Sequence, residues 1–196
     1  MIKNVIFDMG GVLVEWDPSL FLQKFGLYND DDIQIVLNNT MRKKAWIDYD
    51  MGFLTYHELL QKCLKSTPKR LQKYTKLFVT KWSDVARPVE GMPEYFRYLQ
   101  NKGYKIYLLS NAGKNQPFYF RKFGYKNFDG KCVSAYYGIG KPHKEFYQLF
   151  LNKFKLKAEE CVFIDDRKEN VVAANKLGIK SFLFENTNKL KKELQL

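Results

Sequence analysis

Cysteine is scarce. Cys63, Cys132 and Cys161 are odd in number and far apart, with no CxxC or Cys/His spacing, so a disulfide framework and a thiolate metal site are both excluded. Buried reduced thiols are expected instead. Histidine is limited to His57 and His143, neither with an assigned role. No apolar run approaches the length of a membrane span. The opening Met-Ile-Lys-Asn enters a strand-like stretch directly, without a signal-peptide core or cleavage site. A cytoplasmic enzyme, with no membrane partner, is therefore the expectation. Arginine is sparse as well: 27 of the 33 basic residues are Lys, scattered along helical stretches. No Arg-rich or aromatic-interleaved pattern accompanies the net charge of +12, so nucleic acid is not an expected partner.

What is present fits an ordinary globular chain, with 45% hydrophobic and 28% charged residues in a length of 196. That length suits one substantial domain with an inserted subdomain. Residues 15–90 hold 12 basic and 10 acidic side chains, while the remainder holds 21 and 11. The positive excess is thus concentrated outside the middle segment, and attraction of small phosphates is its expected functional use.

The apolar run Val5-Ile6-Phe7 ends at Asp8 and is followed by Gly10 and Gly11, the pattern of a buried strand entering a tight loop. Similar runs occur at Ile106–Leu109, Cys161–Ile164, Cys132-Val133 and Ser181–Phe184. Helical stretches lie between them, over Met92–Asn101, Asn115–Phe123, Lys144–Phe154 and Arg167–Leu177, the last closed by Gly178. This alternation predicts an α/β fold with a mostly parallel, Rossmann-like sheet. Residues 16–88 break the rhythm with helix-like segments at Ile33–Lys44, Tyr56–Leu64 and Lys69–Lys81, and no convincing strand. The expected organisation is an α/β core of residues 1–15 and 89–196, with residues 16–88 as an inserted helical cap.

Four segments carry chemistry. An Asp at a strand end is, alone, most simply a capping residue. Beside Gly10 and Gly11, however, Asp8 suits a carboxylate attacking a phosphoryl centre, because the glycines let backbone N–H groups crowd around an oxyanion. Ser110 and Asn111 follow a second apolar run, where a hydroxyl and an amide can donate to phosphate oxygens or cap the next helix. Lys141, in Gly-Lys-Pro-His, would offset the repulsion between an anionic nucleophile and an anionic phosphate. Asp165 and Asp166 are adjacent acids at a strand end, with Asn170 four residues on. Two such carboxylates repel each other unless a cation lies between them and Asp8, and oxygen ligands of this kind suit Mg²⁺.

Taken in order, these segments resemble the four motifs of the haloacid dehalogenase-like superfamily over nearly the whole chain. The helical insert, the Ser-Asn pair, the Lys-Pro loop and the Asp-Asp-x-x-x-Asn ending look most like the small phosphatases acting on sugar phosphates such as glucose 1-phosphate. The resemblance implies Asp8 as nucleophile and Mg²⁺ ligand, with the Gly10 carbonyl and Asp166 completing the protein's set. Asp165 would be a further ligand or a supporting acid, and Asn170 would orient the pair. Gly10, Gly11, Ser110, Asn111 and Lys141 would hold the phosphate of a small phosphorylated metabolite.

The chain departs from that pattern at Gly10, where most phosphatases of the family carry a second Asp as general acid and base. That role is worth about 10²- to 10⁴-fold in rate. Three readings stay open: a phosphatase adapted to the loss, a dehalogenase in which Asp8 attacks carbon, and a non-catalytic phosphate-binding or interaction protein. Glu15, Trp16 and Asp17, just beyond the first motif, are possible substrate contacts or replacement acids, or simply a linker. In the insert, Trp46, Tyr49 and Phe53 either line the pocket or serve as core.

Overall fold

The computed structural model describes residues 1–15, 17–114 and 123–195. Trp16 and most of the Asn115–Phe123 stretch expected to be helical lie outside them.

Five runs form one sheet: β1 (Asn4–Phe7), β4 (Lys105–Ser110), β5 (Gly130–Val133), β6 (Cys161–Asp165) and β7 (Lys180–Leu183), in the order β5-β4-β1-β6-β7. Every neighbouring pair is parallel, with Phe7 level with both Leu108 and Ile164. Strands buried on both faces need side chains for two cores, and the sequence supplies them alternately. Val5, Phe7, Ile106, Leu108, Val162 and Ile164 enter the cluster on one face. Ile6, Tyr107, Leu109 and Phe163 enter the other. Helices α6 (Met92–Asn101) and α9 (Thr187–Leu194) cover the first face, and α7 (Lys144–Phe154) and α8 (Lys168–Asn175) the second. Phe96, Phe146 and Phe150 are all fully buried, each worth on the order of 2 kcal/mol of burial. All three cysteines are free and buried.

The middle of the chain is helical, with α1 (Pro18–Lys24), α2 (Asp30–Asn38), α3 (Lys44–Asp50), α4 (Tyr56–Ser66) and α5 (Gln72–Lys81). It packs around clusters of its own, one centred on Phe21, Ile33, Leu37 and Phe78, the other on Ala45, Tyr49, Leu59 and Cys63. The expectation of no strand before residue 88 is corrected at its end. Arg87–Pro88 forms β3, which pairs antiparallel with β2 (Val14–Glu15) where the insert leaves and rejoins the core. Pro88 is tolerated because this ribbon has only two strands, so its missing donor faces no further neighbour. Among the described residues no helix is long and apolar enough to cross a membrane.

β1 lies at the centre of the sheet, and the chain builds outward from it first through β4 and β5, then through β6 and β7. The reversal of strand order therefore falls at the C-terminal end of β1, the place where open parallel sheets accept ligands. Asp8, Ser110 and Asp165 all stand at that edge.

Candidate active site

Asp8 continues the line of β1, its N–H donating to the Ile164 carbonyl at 2.9 Å. The chain then turns sharply, with the Leu13 and Val14 N–H groups both returning to the Met9 carbonyl. Gly11 makes that turn possible: its φ is +73°, and a Cβ there would lie 2.3 Å from Asp166 Oδ2. Glycine is required by conformation and by the approach of the carboxylate alike.

Lys141 is the pivot of the site. Its Nζ lies 2.8 Å from Asp8 Oδ1 and 2.6 Å from Asp165 Oδ2, with the lysine side chain 1% exposed. Asn111 fixes the lysine backbone from both sides, Nδ2 donating to the Lys141 carbonyl at 2.8 Å and Oδ1 accepting the Lys141 N–H at 2.8 Å. Its amide, expected to face phosphate, is thus turned to positioning the cation. Asp165 is fully buried. Besides Lys141 it accepts the Arg167 N–H at 2.9 Å and Asn170 Nδ2 at 2.9 and 3.1 Å. Asn170 is itself buried, and its carbonyl accepts the Tyr147 hydroxyl at 3.0 Å.

Asp166 keeps surface in solvent. Oxygens of Asp8, Asp165 and Asp166 lie within 4.8 Å of one another. Burial pushes the Asp8 carboxyl up to about 6, opposed by Lys141 and reinforced by Asp165. Asp166 is also raised, by desolvation first and then by Asp165. Three carboxylates facing one ammonium leave negative charge uncompensated, and these hard oxygens fit a divalent cation such as Mg²⁺.

The floor opens into a cleft of about 420 Å³ lined by Asp8, Gly10, Gly11, Ser110, Asn111, Lys141, Asp166 and Asn170, together with side chains of the insert. A profile of the haloacid dehalogenase-like hydrolases matches residues 2–178. The chain belongs to that family.

A sesquiterpene phosphatase from Aspergillus oryzae is 28% identical to this hydrolase over 183 residues, covering 90% of this chain and 87% of that one. A D-ribitol-5-phosphate phosphatase from Bacteroides thetaiotaomicron is 26% identical over 206 residues, covering 99% and 97%. Two further curated relatives are longer, the hydrolase spanning 36% and 19% of them. Among solved structures, the magnesium complex of a HAD family enzyme from B. thetaiotaomicron has a TM-score of 0.75 at 21% identity, with 100% of this chain and 99% of that chain covered. That likeness shows the fold.

The residues just past the first motif separate. Glu15 lines the cleft, with its carboxylate 2.7 Å from Arg87 Nε. Asp17 is turned to capping α1, accepting the N–H groups of Ser19 and Leu20 at 2.8 and 2.9 Å. Of the insert aromatics, Trp46 lines the cleft, Tyr49 is buried in the insert's own core, and Phe53 is 65% exposed.

Sequence reasoning did not find Met9, Met41, Asp50, Trp82, Ala112 and Arg167, which complete the lining. Asp50 is the most unusual of them. Burial pushes its carboxyl up to about 7, opposed by a hydrogen bond that it accepts from the Gly113 N–H. A lone Asp at the end of a helical stretch carries no signal of this; the only hint in the chain is Gly52 two residues on.

Proposed function

We propose that this hydrolase is a phosphatase that cleaves small phosphate esters, sugar phosphates among them, through an aspartyl phosphate at Asp8. The observation that carries this reading is the bridging of Asp8 and Asp165 by Lys141, at 2.8 and 2.6 Å, beside the exposed carboxylate of Asp166. Relatives named as phosphatases of a sesquiterpene and of D-ribitol 5-phosphate support an ester of phosphoric acid as substrate.

Asp8 supplies the nucleophilic oxygen. Its carboxylate attacks phosphorus in line with the departing oxygen, releasing the alcohol, and water then cleaves the acyl phosphate. Lys141 holds Asp8 in position and lowers the repulsion between that anion and the phosphate. Ser110, buried at the end of β4 and lining the cleft, donates to a phosphate oxygen together with the backbone N–H group at Gly10; the Gly11 N–H, expected to do the same, is turned instead to the Val14 carbonyl at 2.9 Å. Asn111 acts through Lys141. Asp8, the Gly10 carbonyl and Asp166 would hold Mg²⁺, which supplies charge neutralisation across nucleophile and phosphate when bound. Asp165, with both oxygens engaged by Lys141, Asn170 and Arg167, supports the lysine from behind. The helical insert between β2 and β3 acts as the cap over a core of residues 1–15 and 89–196, closing the cleft around the ester.

A dehalogenase would use Asp8 on carbon and would need no cation, so the acidic cluster of Asp8, Asp165 and Asp166 favours phosphoryl transfer. The test is phosphate release from a panel of sugar phosphates, nucleotides and 2-haloacids, with Mg²⁺ and with chelator. Metal-dependent phosphate release that falls at least about 10³-fold in Asp8→Asn is expected. Wild-type rates in that variant, or halide release instead of phosphate, would overturn the assignment.

A further inference from the structure

We infer that Asp50, carried by the helical insert, is the proton donor and acceptor of this site, taking the role that no side chain at Gly10 can fill. The inference rests on the proposed phosphatase reading.

The direction of the reaction selects the wall on which such a group must stand. Asp8 attacks from the floor, so the leaving oxygen departs on the opposite side of phosphorus, toward the part of the cleft that the insert provides. Among the described residues the insert lines that part with Met41, Trp46, Asp50 and Trp82. Of these only Asp50 can exchange a proton. On the core side, Asp8 and Asp166 belong to the acidic floor, Glu15 is engaged by Arg87, and Asp17 is turned to capping α1.

Asp50 is also fixed relative to the floor. The Gly113 N–H donates to its carboxylate, and Gly113 stands two residues past Asn111. The Asp50 carbonyl accepts the Ser134 hydroxyl at 2.5 Å, and the same hydroxyl accepts the Ala112 N–H at 2.9 Å. Beside it, Cβ atoms built on Gly52 and Gly113 would lie 2.2 Å from the Ala135 carbonyl oxygen and from the Tyr49 ring. The end of α3 therefore sits in contact with the core backbone next to the Ser110-Asn111 loop, and a side chain held by such contacts is preorganised rather than swinging with the insert. Burial favours a protonated carboxyl near neutral pH, the form a general acid needs.

In the first step the P–O bond to the alcohol breaks as Asp8 forms its bond to phosphorus, and the Asp50 proton passes to the departing oxygen. In the second, water adds to phosphorus, its proton passes to the Asp50 carboxylate, and the bond from Asp8 to phosphorus breaks. Ester and water become alcohol and phosphate, with Asp50 restored.

The experiment compares kcat/KM with Mg²⁺ for 4-nitrophenyl, phenyl and glycerol phosphates in the wild type, Asp50→Asn, Asp8→Asn and the double variant Gly10→Asp with Asp50→Asn. Asparagine preserves the bond from Gly113 but cannot donate a carboxyl proton. The expected result is a loss of about 10²-fold or more on glycerol phosphate and less than about tenfold on 4-nitrophenyl phosphate, whose leaving group needs little protonation. Inhibition by inorganic phosphate stays unchanged. A Cβ built on Gly10 meets nothing within 4 Å, so Gly10→Asp has room to place an acid there and is expected to restore much of the loss. The alkaline limb of kcat/KM that Asp50 gives the wild type, in a cleft it shares with Asp8, Glu15, Lys141, Asp166 and Arg167 and beside Tyr49 of its own helix, is expected to disappear in Asp50→Asn. Equal losses across the three esters, or no loss, would overturn the role of Asp50 while leaving Asp8 in place. Turnover surviving in Asp8→Asn would remove the phosphatase reading itself. If Asp50→Asn does not fold, Asp50→Glu supplies the same comparison: a leaving-group dependence as shallow as the wild type supports the proposal, and a steep one rejects it.

Discussion

Lys141 answers two carboxylates with one buried ammonium, and the consequence is measurable. In Lys141→Met, Asp8 and Asp165 face each other across an apolar side chain, so the variant is expected to lose about 3 kcal/mol or more in urea unfolding at pH 8. Without Lys141 the Asp8 carboxyl is pushed higher still, so the deficit is expected to shrink as the pH falls toward about 6, where Asp8 takes up a proton in the wild type as well. Replacing Asp50 has the opposite effect on stability. Its carboxyl is raised from 3.8 to about 7 in the folded protein, so the folded state binds the proton more tightly than the unfolded chain. The stability this brings is full below pH about 4 and is lost as pH rises through about 7. Asp50→Asn, which does not titrate, is therefore expected to match the wild type near pH 4 and to exceed it at pH 8, by on the order of 2 kcal/mol because the carboxyl remains partly solvated. A difference independent of pH would contradict the assigned environment. These two residues also mark what the sequence made legible. Asp8, Lys141 and the Asp165-Asp166 pair each follow an apolar run or sit in a glycine- or proline-marked loop, so their types and surroundings pointed to one chemistry. Asp50 has an ordinary helical neighbourhood, and its character comes from the Gly113 loop, 63 positions away in the chain, which no local pattern encodes.

The five strands of the sheet and helices α4, α6 and α7 follow closely from apolar periodicity, because each has one period over its whole length. The insert was harder to read. A single helix expected over Ile33–Lys44 is in fact α2 ending at Asn38, a turn in which Thr40 returns to the Leu37 carbonyl, and α3 starting at Lys44. Apolar spacing continues across that turn and hides it. α1 is seven residues long, and its Asp17-Pro18 start reads equally as a linker. α9 carries three lysines, and its apolar contacts are few, chiefly Leu190 and Leu194. The join between α3 and the core has its own prediction. Gly52 has φ +77°, and a Cβ there would lie 2.2 Å from the Ala135 carbonyl oxygen. Gly52→Ala is thus expected to destabilise the protein by about 1–3 kcal/mol. By displacing Asp50, it is also expected to lower kcat/KM for glycerol phosphate more than for 4-nitrophenyl phosphate. Thermal unfolding and the two assays check both parts, and equal effects on the two esters would separate α3 docking from proton transfer.

The distribution of charge over the protein bears on how an anionic ester reaches an acidic floor. Three carboxylates against Lys141 give the bottom of the cleft a negative local balance before any cation binds. The chain as a whole carries +12, while residues 15–90 hold only two more basic than acidic side chains. The positive excess therefore lies mostly outside residues 15–90, and its field reaches beyond a floor whose carboxylates Lys141 offsets, as a dication would further once bound. Fields of this kind accelerate encounter rather than the chemical step, and they fade as the Debye length falls from about 30 Å at 0.01 M salt to about 8 Å at 0.15 M. With saturating Mg²⁺, kcat/KM for a dianionic sugar phosphate is expected to fall about threefold to tenfold over that range while kcat holds steady. Steady-state assays at constant pH, with the salt varied as potassium chloride, read this directly. A kcat/KM that does not change with salt would mean that the scattered lysines serve solvation alone, and that the ester finds the cleft without help from the surrounding charge.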